Sequence, residues 1–288
     1  MTATARMHVN SSTSAFDIHR MFVVTRHELR QLMQSKDFWI PMALLGSIFF
    51  LIIPAALILL ITRMGSGSMV QQASETLKVL PDAALAKIRG TSPQGRTAYA
   101  LAVYLFAPVA VVVPLTISTA VGAASLVGER ERGTGEFLAH SPASVREIYL
   151  GKLFASFVPG YITTLVGFGA YSLMVNLLIG PSVGGWFFPT TEWLVMMFWI
   201  IPPFLLLTLS LVLRLSARVR STAAAQQASG LITLPLIGIA YSQATGSLMG
   251  NSSTSGVMIG LVAWLFAALS LHRGVRSVTR NRLLGVAQ

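Results

Sequence analysis

The side chains able to do chemistry are few and crowded into one place. Residues 128–152, GERERGTGEFLAHSPASVREIYLGK, hold eight charged groups in 25 positions of a chain that is 11 % charged overall. Glu129, Glu131 and Glu136 stand there among Arg130 and Arg132. Glu129–Arg132 is expected to carry the second helix out of the lipid, where its charges are solvated, and by composition alone the stretch reads as a charged membrane-edge loop with ordinary caps. Acid–base catalysis or hydrolysis needs a protected pair or a metal instead. Ser144 and Glu147 have the spacing of a capping box, in which the hydroxyl accepts from the backbone three residues on and the carboxylate reaches back. Gly133 and Gly135 each weaken a helix by about 1 kcal/mol relative to Ala. Ser141-Pro142 interrupts one. A short helix over 136–140 is therefore expected, with Phe137 and Leu138 as its apolar contacts.

Other chemistries are missing. The five histidines, His8, His19, His27, His140 and His272, are scattered through the flanks, and no metal-ligand spacing occurs. There are no cysteines, so neither disulfides nor thiolate metal sites are available. No G-x-x-x-x-G-K-[ST] loop is present to cradle a nucleotide; GPSVGGW has the glycine spacing without the lysine. No ionisable residue lies inside the long apolar runs, where a proton- or ion-coupled carrier keeps its coupling group. Gln226 and Gln227, near the start of the fifth run, either bond to another helix, line a wet path or simply sit at the interface. The chain is expected not to be an enzyme and to hold no metal or cofactor of its own.

The elements that must carry these residues are membrane helices. The 288 residues are 53 % hydrophobic with mean hydropathy +0.68, and a soluble domain carries roughly 25 % charged residues. A helix crossing the hydrocarbon core needs about 20 mostly apolar residues. Six runs qualify, at about 41–62, 101–127, 153–180, 193–213, 222–243 and 253–271. Pro159-Gly160 in the third and Pro202-Pro203 in the fourth are expected to kink them. The expectation is an all-α integral membrane protein with one six-span domain over 39–272. A polar, disordered tail over 1–15 precedes it, and a basic tail over 273–288 follows. No cleavable signal peptide is expected, since the first apolar run starts near Phe38.

Sixteen Lys and Arg fall on the side of the termini and only five on the other, all in the 63–99 loop. Both termini are therefore expected to be cytoplasmic. The net charge of +11 reflects this asymmetry, and no aromatic-basic motif supports nucleic-acid binding. Within 16–38, Ile18, Met21, Phe22, Leu29, Leu32 and Met33 share an arc at 100° per residue. Arg20, Arg26, His27, Arg30, Gln31 and Gln34 lie opposite, with Val23 and Val24 spoiling the polar face. The segment reads as an amphipathic helix lying in the membrane interface, or as a surface helix packed on the membrane domain. In the outer loop, Pro81 and Gly90 bound a small helix candidate.

The order of residues in the charged stretch adds a resemblance. Glu129-x-Glu131-Arg132-Gly133-Thr134-x-Glu136-x-Leu138, then Ser141-Pro142, then Glu147-Ile148-x-x-Gly151-Lys152, closely resembles the permease subunits of type 2 ABC exporters. RHELRQLMQSKDFW is similar to that family's N-terminal connecting helix, and AAAQQASGLITLPL to the start of its fifth span. Gly135 departs from it, standing where Leu or Met is common.

The resemblance implies that 128–152 is the coupling helix and its arms, touching a separate ATPase through Glu129, Glu131, Arg132, Gly133, Thr134, Glu136, Phe137, Leu138 and Pro142. It places Arg26, Glu28 and Arg30 on the connecting helix, with Arg26 and Arg30 as partners for the loop's carboxylates. It also implies ATP and magnesium in two ATPase subunits, a second permease copy as homodimer or heterodimer, and a multi-pass place in a bacterial or archaeal plasma membrane. A pathway lined by Leu, Phe, Met and Gly suits a hydrophobic export substrate, a drug, lipid or peptide. The rival readings are a stand-alone channel or facilitator, and a membrane scaffold or sensor that binds an ATPase without transporting.

Overall fold

A computed structural model describes residues 16–64, 75, 80, 82–131, 142–216 and 253–277. Every regular element among them is helical. The elements are α1 (Ile18–Gln34), α2 (Lys36–Ser47), α3 (Ile53–Met64), α4 (Asp82–Leu85), α5 (Pro93–Ala100), α6 (Ala107–Glu131), α7 (Val145–Val183), α8 (Thr191–Val195), α9 (Ile201–Ser216) and α10 (Ser253–Ser277). Three π turns, Ile48–Ile52, Leu101–Leu105 and Met196–Ile200, join α2 to α3, α5 to α6 and α8 to α9.

Five of the resulting rods are long and apolar enough to cross a membrane: Lys36–Arg63, Pro93–Ala123, Val145–Val183, Thr191–Arg214 and Gly256–Arg276. The run expected at 222–243, with Gln226 and Gln227, lies outside the described residues. So do the short helix expected at 136–140 and both tails, except for the start of the C-terminal one.

α7 is the axis of the bundle. It packs on α6, α1, α9 and the α2–α3 rod, while α10 lies mainly on α9. The rods over Pro93–Ala123 and Thr191–Arg214 are the more enclosed, and the other three keep apolar faces open. One core fills the half near the α7 C-terminus, where Phe168, Tyr171, Phe188 and Trp193 stack. A second, around Ile148, Tyr149, Leu153, Leu209 and Leu213, fills the foot of α7.

The three π turns have a common cause. Each ends two or three residues before a proline, Pro54, Pro108 or Pro202. Proline lacks the N–H for the helical bond, and its ring clashes with the carbonyl four residues back. The wider turn, closed by i→i+5 bonds such as Ile201 N–H to the Met196 carbonyl, accommodates that ring. In the fourth rod the expected break at Pro202-Pro203 thus takes the form of a π turn. α7, by contrast, continues as one helix through Pro159.

Carbonyls freed at the π turns are used by aromatic side chains. Val103, five residues before Pro108, accepts from Trp193 Nε1 at 2.8 Å. Met197, five before Pro202, accepts from the Tyr161 hydroxyl at 3.1 Å. At the far end of α7, Gly184 takes a left-handed conformation with φ 92°, and the Gly184 and Gly185 N–H groups both donate to the Gly180 carbonyl. Asn176 then pins the following loop. Its Oδ1 accepts from the N–H groups of Phe187 and Phe188, and its Nδ2 donates to the Phe188 carbonyl at 2.6 Å.

Candidate functional site

The charged stretch of the sequence meets α1 at the foot of α7. Ser144 caps α7: its Oγ accepts from the Glu147 N–H at 3.3 Å, and Glu147 Oε2 accepts from the Ser144 N–H at 2.7 Å. The expected capping box is present in both directions. The other carboxylate oxygen goes further, since Glu147 Oε1 accepts from the backbone N–H of Asp17 at 2.8 Å. Asp17 is itself the N-cap of α1, accepting from the His19 N–H. One buried carboxylate therefore closes the first turn of α7 and holds the residue that starts α1. Arg20 adds a third tie by donating to the Pro142 carbonyl at 3.2 Å.

Further along, the two helices touch backbone to backbone. A Cβ at Gly151 would lie 2.7 Å from Val24 Cγ1, 2.9 Å from its Cβ and 3.2 Å from the Met21 carbonyl, so only glycine admits α1 at this distance. The Thr25 hydroxyl sits between the Met21 carbonyl, at 3.0 Å, and the Gly151 carbonyl, at 3.2 Å. One turn on, Lys152 Nζ donates to Glu28 Oε1 at 2.6 Å. The two side chains are 1 % and 10 % exposed. Burying two charges is tolerated because each neutralises the other over a hydrogen-bonding distance.

α1 therefore does not present its apolar arc as one surface. Met21, Thr25 and Glu28 face α7 and are buried. Val24, which looked misplaced on the polar side, packs on Gly151. Ile18, Phe22 and Met33, on the same arc as Met21, stay exposed. Arg26 and Arg30 are exposed as well, and neither makes an ion pair among the described residues. Glu129 and Glu131 belong to the last turn of α6, but their side chains, like Arg132, Gly133, Thr134, Glu136, Phe137 and Leu138, lie outside the described part. Pro142, where the chain is described again, is exposed.

A hydroxyl chain ties the same foot to two more helices. The Tyr149 hydroxyl and Ser210 Oγ share a hydrogen bond of 2.8 Å, and Ser270 Oγ donates to Ser210 Oγ at 3.0 Å. α7, α9 and α10 thus meet through buried hydroxyls. Among the described residues no cluster of His, Cys, Asp or Glu could hold a metal ion. The arrangement suits transmission of movement: α1 and the lower turns of α7 are locked, and α9 and α10 are bonded to the same turn.

Sequence reasoning placed Glu28 on the helix and Lys152 in the stretch without joining them. The available signal was the position of Thr25 and Glu28 on the Met21 side of the helix, since a polar pair on a packed face needs a partner. The profile of the ABC-2 family transporter proteins matches residues 22–265, from the second turn of α1 into α10. No curated protein matches the chain.

Proposed function

The chain belongs to the ABC-2 transporter family and is a membrane-spanning permease of an ABC-type transporter, and from that premise we propose that it is driven by a separate ATPase acting through residues 128–152. Such a permease works with an ABC ATPase. In the proposed assembly two permease copies, identical or related, form the pathway, and two ATPase subunits bind ATP and magnesium. The termini and the α6–α7 connection face the cytoplasm across a plasma membrane. The cargo is a hydrophobic molecule, and the direction is export.

The observation that carries this reading is the lock between α1 and the foot of α7, through Glu147, Gly151 and the Glu28–Lys152 pair. A loop that is pushed can move spans only if its arms do not bend independently. Closure of the ATPase dimer would press on Glu129, Glu131, Arg132, Glu136, Phe137 and Leu138, with Gly133 and Thr134 setting the start of the short helix. The displacement would pass into α7 and α1 as one body, and through Tyr149, Ser210 and Ser270 into α9 and α10. Rigid-body rearrangement of packed helices is how small shifts become large ones.

Reversal of Glu136 to Lys tests the reading. The expected result is loss of ATPase co-purification together with loss of permease-stimulated ATP hydrolysis. If both are unchanged, the coupling assignment is wrong. Substrate flux in liposomes holding this chain alone would instead establish a facilitator.

A further inference from the structure

We propose that the outward face of α1 is a docking surface for anionic phospholipid, with Phe22 and Met33 set into the leaflet and Arg26 and Arg30 against lipid phosphates. The inference is independent of how transport is driven. It starts from the division of the helix. Met21, Thr25 and Glu28 are consumed by α7. Ile18, Phe22 and Met33 remain 60 %, 60 % and 68 % exposed. At 100° per residue these three fall within an arc of about 60°, a continuous apolar strip. Arg26 and Arg30 occupy the next stretch of the circumference, of about the same width, and both are exposed.

The sign of the face is settled by Glu28. It is the one carboxylate between the first and last residues of α1, and it is turned inward onto Lys152. What α1 shows outward between its ends is therefore apolar, cationic or neutral polar, with no carboxylate, and so complementary to an anionic lipid surface. Chain continuity places that surface beside it. α1 passes through Ser35 directly into α2, the start of a membrane-crossing rod, whose Trp39, Ile40 and Leu44 are exposed. The apolar strip of α1 thus continues into a face that lipid must cover, and the two arginines stand at headgroup level.

The absence of cysteine from the chain makes the test direct. Single thiols at Phe22→Cys and Gln31→Cys, both at exposed positions, are spin-labelled in the full chain. The labelled protein is placed in nanodiscs of phosphatidylcholine, with or without phosphatidylglycerol. The label at 22 is expected to be reached by oxygen rather than by a water-soluble nickel reagent, and the label at 31 by the nickel reagent. Phosphatidylglycerol carried through purification is expected to fall about fivefold for each of Arg26→Gln and Arg30→Gln. A label at 22 as open to nickel as that at 31 overturns the proposal, as does lipid retention indifferent to both arginines. Shielding at 22 that appears only when the ATPase is added overturns it too, and assigns the face to protein.

Discussion

Lys152 reaches across from the second turn of α7 to Glu28 on α1, 124 residues earlier in the chain, and the two close a hydrogen-bonded ion pair of 2.6 Å with almost no access to solvent. Breaking such a buried pair by removing one member typically costs about 3–5 kcal/mol. Glu28→Met and Lys152→Met are each expected to lower the unfolding temperature of the purified permease clearly. Replacing both with Met removes the charges together and is expected to recover most of the loss, because apolar side chains can fill the same space. Thermal unfolding of the four proteins in one detergent measures this. A double variant as weak as the sum of the singles shows that the two charges are not coupled.

Gly151 makes the pairing possible, and its replacement should act through distance. Alanine there forces its methyl onto Val24 and toward the Met21 carbonyl. Overpacking of this kind costs about 1–3 kcal/mol. Gly151→Ala is expected to destabilise the chain, and Val24→Ala added to it to restore part of the loss by vacating the space. If transport depends on α1 and α7 moving together, Gly151→Ala also lowers the ATP hydrolysis that the permease stimulates in its partner. Thermal shift and ATPase assays on the single and double variants read both effects.

The two cases show what a sequence can carry about this molecule. The membrane rods are legible because a bilayer demands a fixed length of apolar residues whatever surrounds them. The capping box at Ser144 and Glu147 is legible because both partners lie within one turn. Beyond one turn legibility fades. Nothing local marks Glu147 as the holder of the Asp17 N–H, or Val24 as the residue that fills the notch at Gly151. An amphipathic arc gives the width of the apolar face but not which part of it meets protein, so Met21 and Phe22 read alike and end on different sides. Pro202-Pro203 announced a break, but not that Tyr161 on another helix would take up the carbonyl of Met197.

Asn176 offers a prediction at the opposite end of α7. Its amide accepts two backbone N–H groups and donates to the carbonyls of Phe188 and Ser172. Asn176→Asp keeps the shape and the acceptor but sets a carboxylate oxygen against those two carbonyls. Asn176→Ala leaves buried backbone groups unpaired, at about 1–3 kcal/mol for each group left unsatisfied. Both variants are expected to loosen the segment from Gly184 to Pro189. The check is hydrogen exchange of Phe187 and Phe188 in detergent, which should speed up in both variants. Unchanged exchange in Asn176→Ala shows that the loop holds itself.

The π turns give the last prediction, one that separates a hydrogen bond from the packing around it. Trp193 is buried among aromatic rings, so Trp193→Phe loses both volume and the bond to the Val103 carbonyl. Read alone, its cost has no unique cause. The carbonyl needs Trp193 because Pro108, five residues on, has no N–H to offer. Pro108→Ala supplies that N–H. In the Pro108→Ala background, Trp193→Phe should therefore cost about 1 kcal/mol less than in the parent, the worth of one satisfied carbonyl. The packing loss is common to both backgrounds and cancels. Tyr161→Phe with Pro202→Ala makes an independent cycle at the fourth rod, where the hydroxyl is the only atom removed. If both cycles give no coupling, the aromatic donors are incidental to the π turns. If both give it, the prolines and their distant aromatic partners are one device, in which a helix gives up its own hydrogen bond and a neighbour replaces it.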